Sequence, residues 1–384
     1  MDREQRELDE LYMLGCLALA AKGAGSVSPN PLVGALLTKG GKVIARGFHK
    51  QYGGPHAEVN ALQAAGPSAR GATLYVNLEP CGHFGKTPPC ADRIIASKIR
   101  RVVVGMRDPN PLVAGKGIRK LRQAGIAVRE SVLRDECETL NEKFIKYITT
   151  KLPFVAVKIA QTLDGRIAER RDQQVWISNS ESRALVHRLR AHYDAVLVGA
   201  GTIRSDNPLL TVRYVPGRNP VRVILDGRLT SIPSAQVFTT ARSVRTIVMT
   251  SIDYGRKRSA VKDKLLRKGV EVVEVEGGRA GQIDAGTIVS VLGAMKIGSV
   301  LVEGGADIFR QFLAPNVADK VYLFVAPAIF GHGLSVFGEQ QRGEPLRLVN
   351  VSSRNIRGDT LIEGYLNKID NRKNISCLPE LLRP

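Results

Sequence analysis

Pro55-His56-Ala57-Glu58 opens a predicted helix, Glu79-Pro80-Cys81 ends a predicted strand, and Pro88-Pro89-Cys90 opens another helix. One imidazole and two thiols suit a Zn²⁺ ion with three protein ligands and a fourth position open for water, which distinguishes a catalytic site from a closed structural one. A helix N-terminus at Cys90 directs positive dipole toward the metal and favours the thiolate it requires. Glu58 follows His56 by two residues, so it is badly placed to share the metal face yet within reach of a water there. Zinc brings the pKa of such a water to about 7. Glu58 can then accept its proton and pass it to a departing amine. The pattern matches the nucleobase-deaminase signature H-x-E followed by P-C-x-x-C, except that eight residues, Gly82 to Pro89, separate the cysteines in place of two. A structural zinc site completed by His83 is the competing reading of the same residues.

The elements that must position these groups follow from periodicity. Helical spacing runs over Leu11–Lys22, a strand begins at Leu32, Gly40-Gly41 turns it into KVIARGF, and a helix covers Ala57–Ala65. The strand ATLYVNL, a helix over Ala91–Ser97, the strand RVVVGM and one amphipathic helix over Val132–Ile148 complete an α/β domain. Pro153 breaks the pattern, which places a boundary near residue 150. Beyond it PFVAVKIA, DAVLVGA, VRVILD, RTIVMT, VEVVEV, SVLVE and KVYLFVA read as strands. Helical patterns over Ser182–Ala191, Gly286–Lys296 and Asp307–Leu313 separate several of them, giving a second α/β domain over 151–368 and a frayed tail over 369–384. A chain of 384 residues has room for two such cores.

The second domain lacks the usual dinucleotide fingerprint. Its nearest match to G-x-G-x-x-G is Gly199-Ala200-Gly201-Thr202-Ile203-Arg204, where Arg204 replaces the third glycine. A turn from Val302 to Asp307, between a strand and a helix, offers backbone N–H groups to phosphates.

Composition narrows the partners. With 56 Lys+Arg against 36 Asp+Glu the chain carries +20, and the excess is shared, +8 over residues 1–150 and +12 beyond. Nucleic-acid arms concentrate charge in one block, so a phosphorylated small molecule fits at least as well. No run approaches the length of a membrane helix, and no secretory signal is recognisable. Five cysteines form no disulfide framework, so a reducing cytoplasm is expected; Cys16, Cys137 and Cys377 read as inert.

Pro29-Asn30-Pro31-Leu32-Val33-Gly34, the wide-spaced Pro80…Cys90 segment and Asp108-Pro109-Asn110-Pro111 resemble the deaminase part of the bifunctional deaminase/reductase family of bacterial riboflavin biosynthesis. Residues 157–166, 201–213 and Val302-Glu303-Gly304-Gly305 are similar to its reductase part. Gly82 stands where that family often has Ser. The resemblance implies a cytidine-deaminase-like three-layer α/β/α domain followed by a dihydrofolate-reductase-like α/β domain, which binds NADPH without the Rossmann motif. It implies zinc on His56, Cys81 and Cys90, proton transfer by Glu58, and a substrate pocket shaped by Asn30, His49, His83, Lys86, Asp108 and Asn110. For the second domain it implies that Ala160, Trp176, Thr202, Asp206, Gly305, Ala306 and Asp307 line the NADPH site. Gln174, Arg190, Leu210, Arg213 and Glu303 would meet the sugar-phosphate substrate, with Lys158 and Asp206 as polar groups near the hydride-transfer centre. The partner is then a phosphorylated pyrimidine; neither nucleic acid nor membrane is expected, and a homo-oligomer stays open. A nucleoside or nucleic-acid deaminase, or a zinc-stabilised nucleic-acid-binding protein, are the alternatives.

Overall fold

The computed structural model describes residues 3–82, 88–111, 113–170, 176–313, 317–336 and 345–366. His83, Lys86, Gln174 and the segment 369–384 with Cys377 lie outside the described residues. The chain divides into two compact units, one reaching Lys151 and the other starting at Leu152. Among the described residues no helix is long and apolar enough to cross a membrane.

The first unit runs α1 (Arg3–Ala21), β1 (Gly34–Lys39), β2 (Lys42–Phe48), α2 (Ala57–Ala65), β3 (Thr73–Leu78), α3 (Cys90–Ala96), β4 (Arg101–Met106), α4 (Lys116–Gln123), β5 (Ala127–Arg129), α5 (Arg134–Leu140) and α6 (Glu142–Thr150). Its sheet has the order β2-β1-β3-β4-β5, with β1 antiparallel to β2 and β3 and the last three strands parallel. TLYVNL is buried along its whole length, as a strand covered on both faces must be. Helices α2, α3 and α4 pack together, and α1 packs with α5. Both glycines of the β1–β2 turn have positive φ, 55° and 73°, which side chains resist.

Two expectations change here. Helix α1 starts at Arg3, well before Leu11. The charged N-terminal stretch is held because Asp9 is fully buried and accepts from Arg101 Nη1 and Nη2 (2.9 and 2.6 Å), the Tyr75 hydroxyl (2.8 Å), Gln5 (3.0 Å) and Arg129. The single helix expected over 132–148 is two, broken at Asn141, whose φ is −103° and ψ 15°. Its amide side chain accepts from Leu32 N–H (2.8 Å) and donates to Leu32 O (3.0 Å), tying the break to the segment entering β1. Helix α4 and the short strand β5 are additions to the sequence reading.

The second unit runs β6 (Phe154–Thr162), β7 (Arg166–Ala168), α7 (Ser180–His192), β8 (Ala195–Gly199), α8 (Ala200–Asp206), β9 (Val221–Leu225), α9 (Gln236–Thr239), β10 (Thr246–Ser251), α10 (Ile252–Lys257), α11 (Ser259–Arg267), β11 (Glu271–Val275), α12 (Ala285–Ala294), β12 (Ser299–Val302), α13 (Ala306–Leu313), β13 (Lys320–Ala326), β14 (Leu334–Ser335), β15 (Val349–Ile356) and β16 (Asp359–Tyr365). Nine strands form one sheet in the order β11-β10-β9-β8-β12-β6-β13-β16-β15. It is parallel from β11 to β13 and closes with the antiparallel hairpin β15–β16. The ends of β6, β8 and β12 converge where the parallel order crosses over, the usual place for a ligand crevice in an α/β sheet.

One core side chain is unusual. Arg222 on β9 is fully buried, and its described partners are neutral: Thr246 Oγ1 (2.9 Å from Nε), Thr240 Oγ1 (2.7 Å), Val244 O (2.9 Å) and Leu209 O (3.1 Å). Burial lowers its pKa to about 10, still well above neutrality.

Candidate functional site

His56 occupies the N-cap position of α2, Cys81 follows β3, and Cys90 is the first residue of α3. One ligand atom of each lies within 4.8 Å of the others. Nδ1 of His56 is 3.2 Å from Cys90 Sγ and 3.7 Å from Cys81 Sγ. The start of α3 is laid over Cys81, because Cys90 N–H donates to its sulfur (3.2 Å) and Ala91 N–H to its carbonyl (3.1 Å). A hydrogen bond from the Cys90 thiol, with help from His56 and the Cys90 N–H, pulls the Cys81 thiol well below its ordinary range. The same bond and burial push Cys90 up, whereas the bond to Cys81 raises His56. Two thiols and an imidazole that share protons at this range form a donor set fitted to a soft, tetrahedral cation.

Glu58, in the first turn of α2, is 3% exposed. Burial pushes its carboxyl pKa up, against the opposing charge of His56 and a hydrogen bond with the Cys90 side chain. Behind His56 stands His49, 2% exposed, with the two rings edge to face at 5.6 Å. His49 Nδ1 faces the Pro55 carbonyl at 3.0 Å and so carries the proton, which leaves Nε2 to accept from the Asn30 amide at 3.1 Å. Asp108 accepts from the Asn110 N–H at 2.8 Å, and both residues are half-buried.

The second unit holds a cavity of about 490 Å³. It gathers Lys158, Ala160, Trp176, Arg190, Thr202, Asp206, Leu210, Arg213, Glu303, Gly305 and Ala306 from four elements, β6, α7, α8 and α13, and the loops between elements. Asp307 lines an adjoining cleft of about 1270 Å³, which shares Thr202, Ser205, Gly305 and Ala306 with the first. Arg204 lines that cleft, while Arg218 is bound to Asp194 (2.8 Å). Arg190 and Glu303, both read as substrate contacts, grip each other through a fork of 2.7 and 2.8 Å. Burial opposes the charge on Glu303, but Arg190 and Lys158 hold it below the ordinary carboxylate range. Burial lowers Lys158 and raises Asp206. Trp176 is 64% exposed at the rim, with the Arg183 guanidinium 5.1 Å from its ring centre. Leu210 is buried at a positive φ of 55°, an uncommon backbone state for its type.

Residues 153–362 match the family model of the RibD C-terminal domain, and residues 6–106 match that of the cytidine and deoxycytidylate deaminase zinc-binding region. The riboflavin biosynthesis protein RibD of Aquifex aeolicus is 44% identical over 360 residues, covering 93% of this chain and 98% of that protein. The chain belongs to the RibD family. RibD of Escherichia coli is 35% identical over 336 residues, 84% of this chain and 89% of its own. Among solved structures, the diaminohydroxyphosphoribosylaminopyrimidine deaminase/5-amino-6-(5-phosphoribosylamino)uracil reductase of Thermotoga maritima aligns with a TM-score of 0.82 at 44% identity, covering 94% of this chain and 100% of that one. RibD of Acinetobacter baumannii aligns with a TM-score of 0.84 at 33% identity over the same shares.

One carboxylate beside the metal loop bears no mark in the sequence motifs. Glu79, 3% exposed, accepts four backbone N–H bonds, from Asp108 (3.2 Å), Gly115 (2.9 Å), Gly117 (3.0 Å) and Ile118 (3.2 Å). It thereby fastens the strand end that carries Cys81 to the Asp108–Asn110 turn and to α4. Close approach at this junction explains two glycines. A Cβ on Gly117 would stand 1.8 Å from the Pro80 carbonyl, and one on Gly82 would stand 2.9 Å from the Gly117 nitrogen. Gly117→Ala is accordingly expected to cost about 1–3 kcal/mol and to lower bound zinc per chain. An unshifted urea midpoint with full zinc loading would contradict that account of the junction.

Proposed function

We propose that the chain is a bifunctional enzyme of riboflavin biosynthesis. Its first unit, about residues 1–150, hydrolytically deaminates a diaminopyrimidinone ribosyl phosphate, and its second, about 151–368, reduces the ribosyl group of the product to ribityl with NADPH. The observation that carries the reading is the convergence of His56, Cys81 and Cys90 beside the buried Glu58.

His56, Cys81 and Cys90 would hold the zinc. Bound there, zinc supplies the Lewis acidity that makes water nucleophilic at neutral pH. Glu58 takes a proton from the attacking water and delivers it to the departing amine, so that water and the pyrimidine amine become a carbonyl and ammonia. Asn30, Asp108 and Asn110 orient the ring, with His49 bracing Asn30; the family resemblance assigns His83 and Lys86 to the same substrate.

In the second unit Ala160, Trp176, Thr202, Asp206 and the Gly305–Asp307 turn receive the dinucleotide, while Arg190, Leu210, Arg213 and Glu303 surround the sugar phosphate, to which the family resemblance also assigns Gln174. Bound there, NADPH would supply the hydride that the sugar C1 carbon takes up. As the bond from C1 to the ring oxygen breaks, that oxygen takes one proton, from Lys158 or Asp206. The raised Asp206 keeps more of its carboxyl protonated than an exposed aspartate would.

The test is an assay of purified protein on the diaminopyrimidinone ribosyl phosphate, following ammonia release and NADPH oxidation together. Chelation is expected to remove about one zinc per chain and stop ammonia release, yet leave reduction of pre-deaminated intermediate intact. Zinc-replete protein that releases no ammonia would overturn the deaminase half.

A further inference from the structure

Arg190 would ordinarily be taken as a clamp for a phosphate monoester, yet its donors are committed. Nε and Nη2 bind Glu303, and Nη1 donates to the Thr211 carbonyl at 3.1 Å. Arg213 differs, since among the described residues its guanidinium makes no hydrogen bond and no ion pair, only a distant approach to the Tyr214 ring at 5.9 Å. The other face of this corner is His187, one turn before Arg190 on α7, 4% exposed and part of the same cavity wall. Its ring stacks on Tyr214 with centroids 4.4 Å apart.

The two nitrogens of His187 have different fates. Nδ1 accepts the Arg213 backbone N–H at 2.8 Å, so the ring proton sits on Nε2. Nε2 has no partner among the described residues, and it is not among the polar atoms sealed off without one. We propose that His187 is a phosphate-recognition residue of the reductase cavity: its Nε2–H and the Arg213 guanidinium together bind the phosphate of the sugar-phosphate substrate, while Arg190 serves to position Glu303. This rests on reading the cavity as a sugar-phosphate site. Burial, with the charges of Arg190 and Arg213, lowers the imidazole pKa to about 4, so it donates as a neutral ring across the physiological range. A neutral donor beside Arg213 contacts a dianion without adding a further positive charge to a cavity already lined by Lys158, Arg183, Arg190 and Arg213.

His187→Asn keeps an acceptor near the Nδ1 position for the Arg213 N–H and deletes the distal donor; His187→Gln restores a donor near the Nε2 position. The readouts are inhibition constants of ribose 5-phosphate and of ribose against the reductase reaction, and the dissociation constant of NADPH. His187→Asn is expected to weaken ribose 5-phosphate about tenfold and ribose less than about twofold, with NADPH binding within about twofold of wild type. His187→Gln is expected to recover most of the ribose 5-phosphate affinity. Equal weakening of ribose and ribose 5-phosphate would overturn the proposal, because a collapsed loop would lose both. So would wild-type affinity for ribose 5-phosphate in His187→Asn. Wild-type protein that binds NADPH but neither sugar would instead sink the sugar-phosphate reading of the cavity, and the His187 assignment with it.

Discussion

Glu58→Gln should lower the rate of ammonia release by about 10²–10⁴-fold, with zinc content and reduction of pre-deaminated intermediate unchanged. The size of the effect follows from where the carboxyl sits. At 3% exposure, with burial raising its pKa, Glu58 is closer to sharing a proton at neutral pH than an exposed glutamate is. Glutamine preserves the shape that α2 buries and can hydrogen-bond at the same place, so the metal ligands need not move. It cannot accept a proton from water or hand one to a leaving amine. Metal analysis of the purified variant separates the two ways of losing activity: a zinc-free variant would indicate a structural role for Glu58. A zinc-replete variant with wild-type turnover would remove Glu58 from the chemistry altogether.

The second large effect is expected at the Arg190–Glu303 pair. Their side chains are 12% and 7% exposed, and the fork is bidentate. Truncation of Glu303 to Ala leaves a buried guanidinium without its counter-charge, for which about 3–5 kcal/mol is the usual cost. A joint change to Met at 190 and Leu at 303 should recover much of that loss while abolishing reduction, which a double-mutant cycle in urea would measure. Additive losses in the cycle would mean that the two groups stabilise the unit independently. Acid sensitivity has a definite sign. Glu303 titrates lower in the folded state than its ordinary value of 4.5, so its contribution is complete above that value. It is lost as pH falls below 4.5 through the folded-state value. Glu303→Gln should lack that acid-limb loss.

The zinc constellation was legible because the chemistry itself restricts residue types and spacing. His56, Glu58, Cys81 and Cys90 stand at element ends that periodicity also marks, so motif and architecture agree without knowledge of tertiary contacts. The strands of the parallel sheet were legible for a similar reason: buried runs such as TLYVNL and AVLVG leave little choice. What stayed hidden depends on partners far apart in sequence. Arg190 and Glu303 are 113 residues apart, and nothing local says that two groups suited to a substrate will pair with each other. The role of Glu79 is written in backbone N–H groups some 29 to 39 residues away, which no local pattern marks. His187 did leave a signal, since Arg183, His187 and Arg190 recur at helical spacing and one wall of the cavity uses all three. The break at Asn141 left none, because a helix pattern does not reveal that one amide will be drawn to Leu32. The hairpin β15–β16 was missed because β15 alternates between exposed and half-buried positions, a weak pattern for an edge strand.

The buried Arg222 has a consequence for motion. Its guanidinium binds Leu209 O from the loop that carries Leu210 and Arg213, and Thr240, Val244 and Thr246 from the segment entering β10. To swing the loop outward is to strip an acceptor from a cation that water cannot reach, so local opening there carries the penalty of an uncompensated buried charge. The loop therefore borrows its rigidity from the middle of the sheet, and its amides should exchange with solvent in step with β9 and β10 rather than with the surface turns on either side.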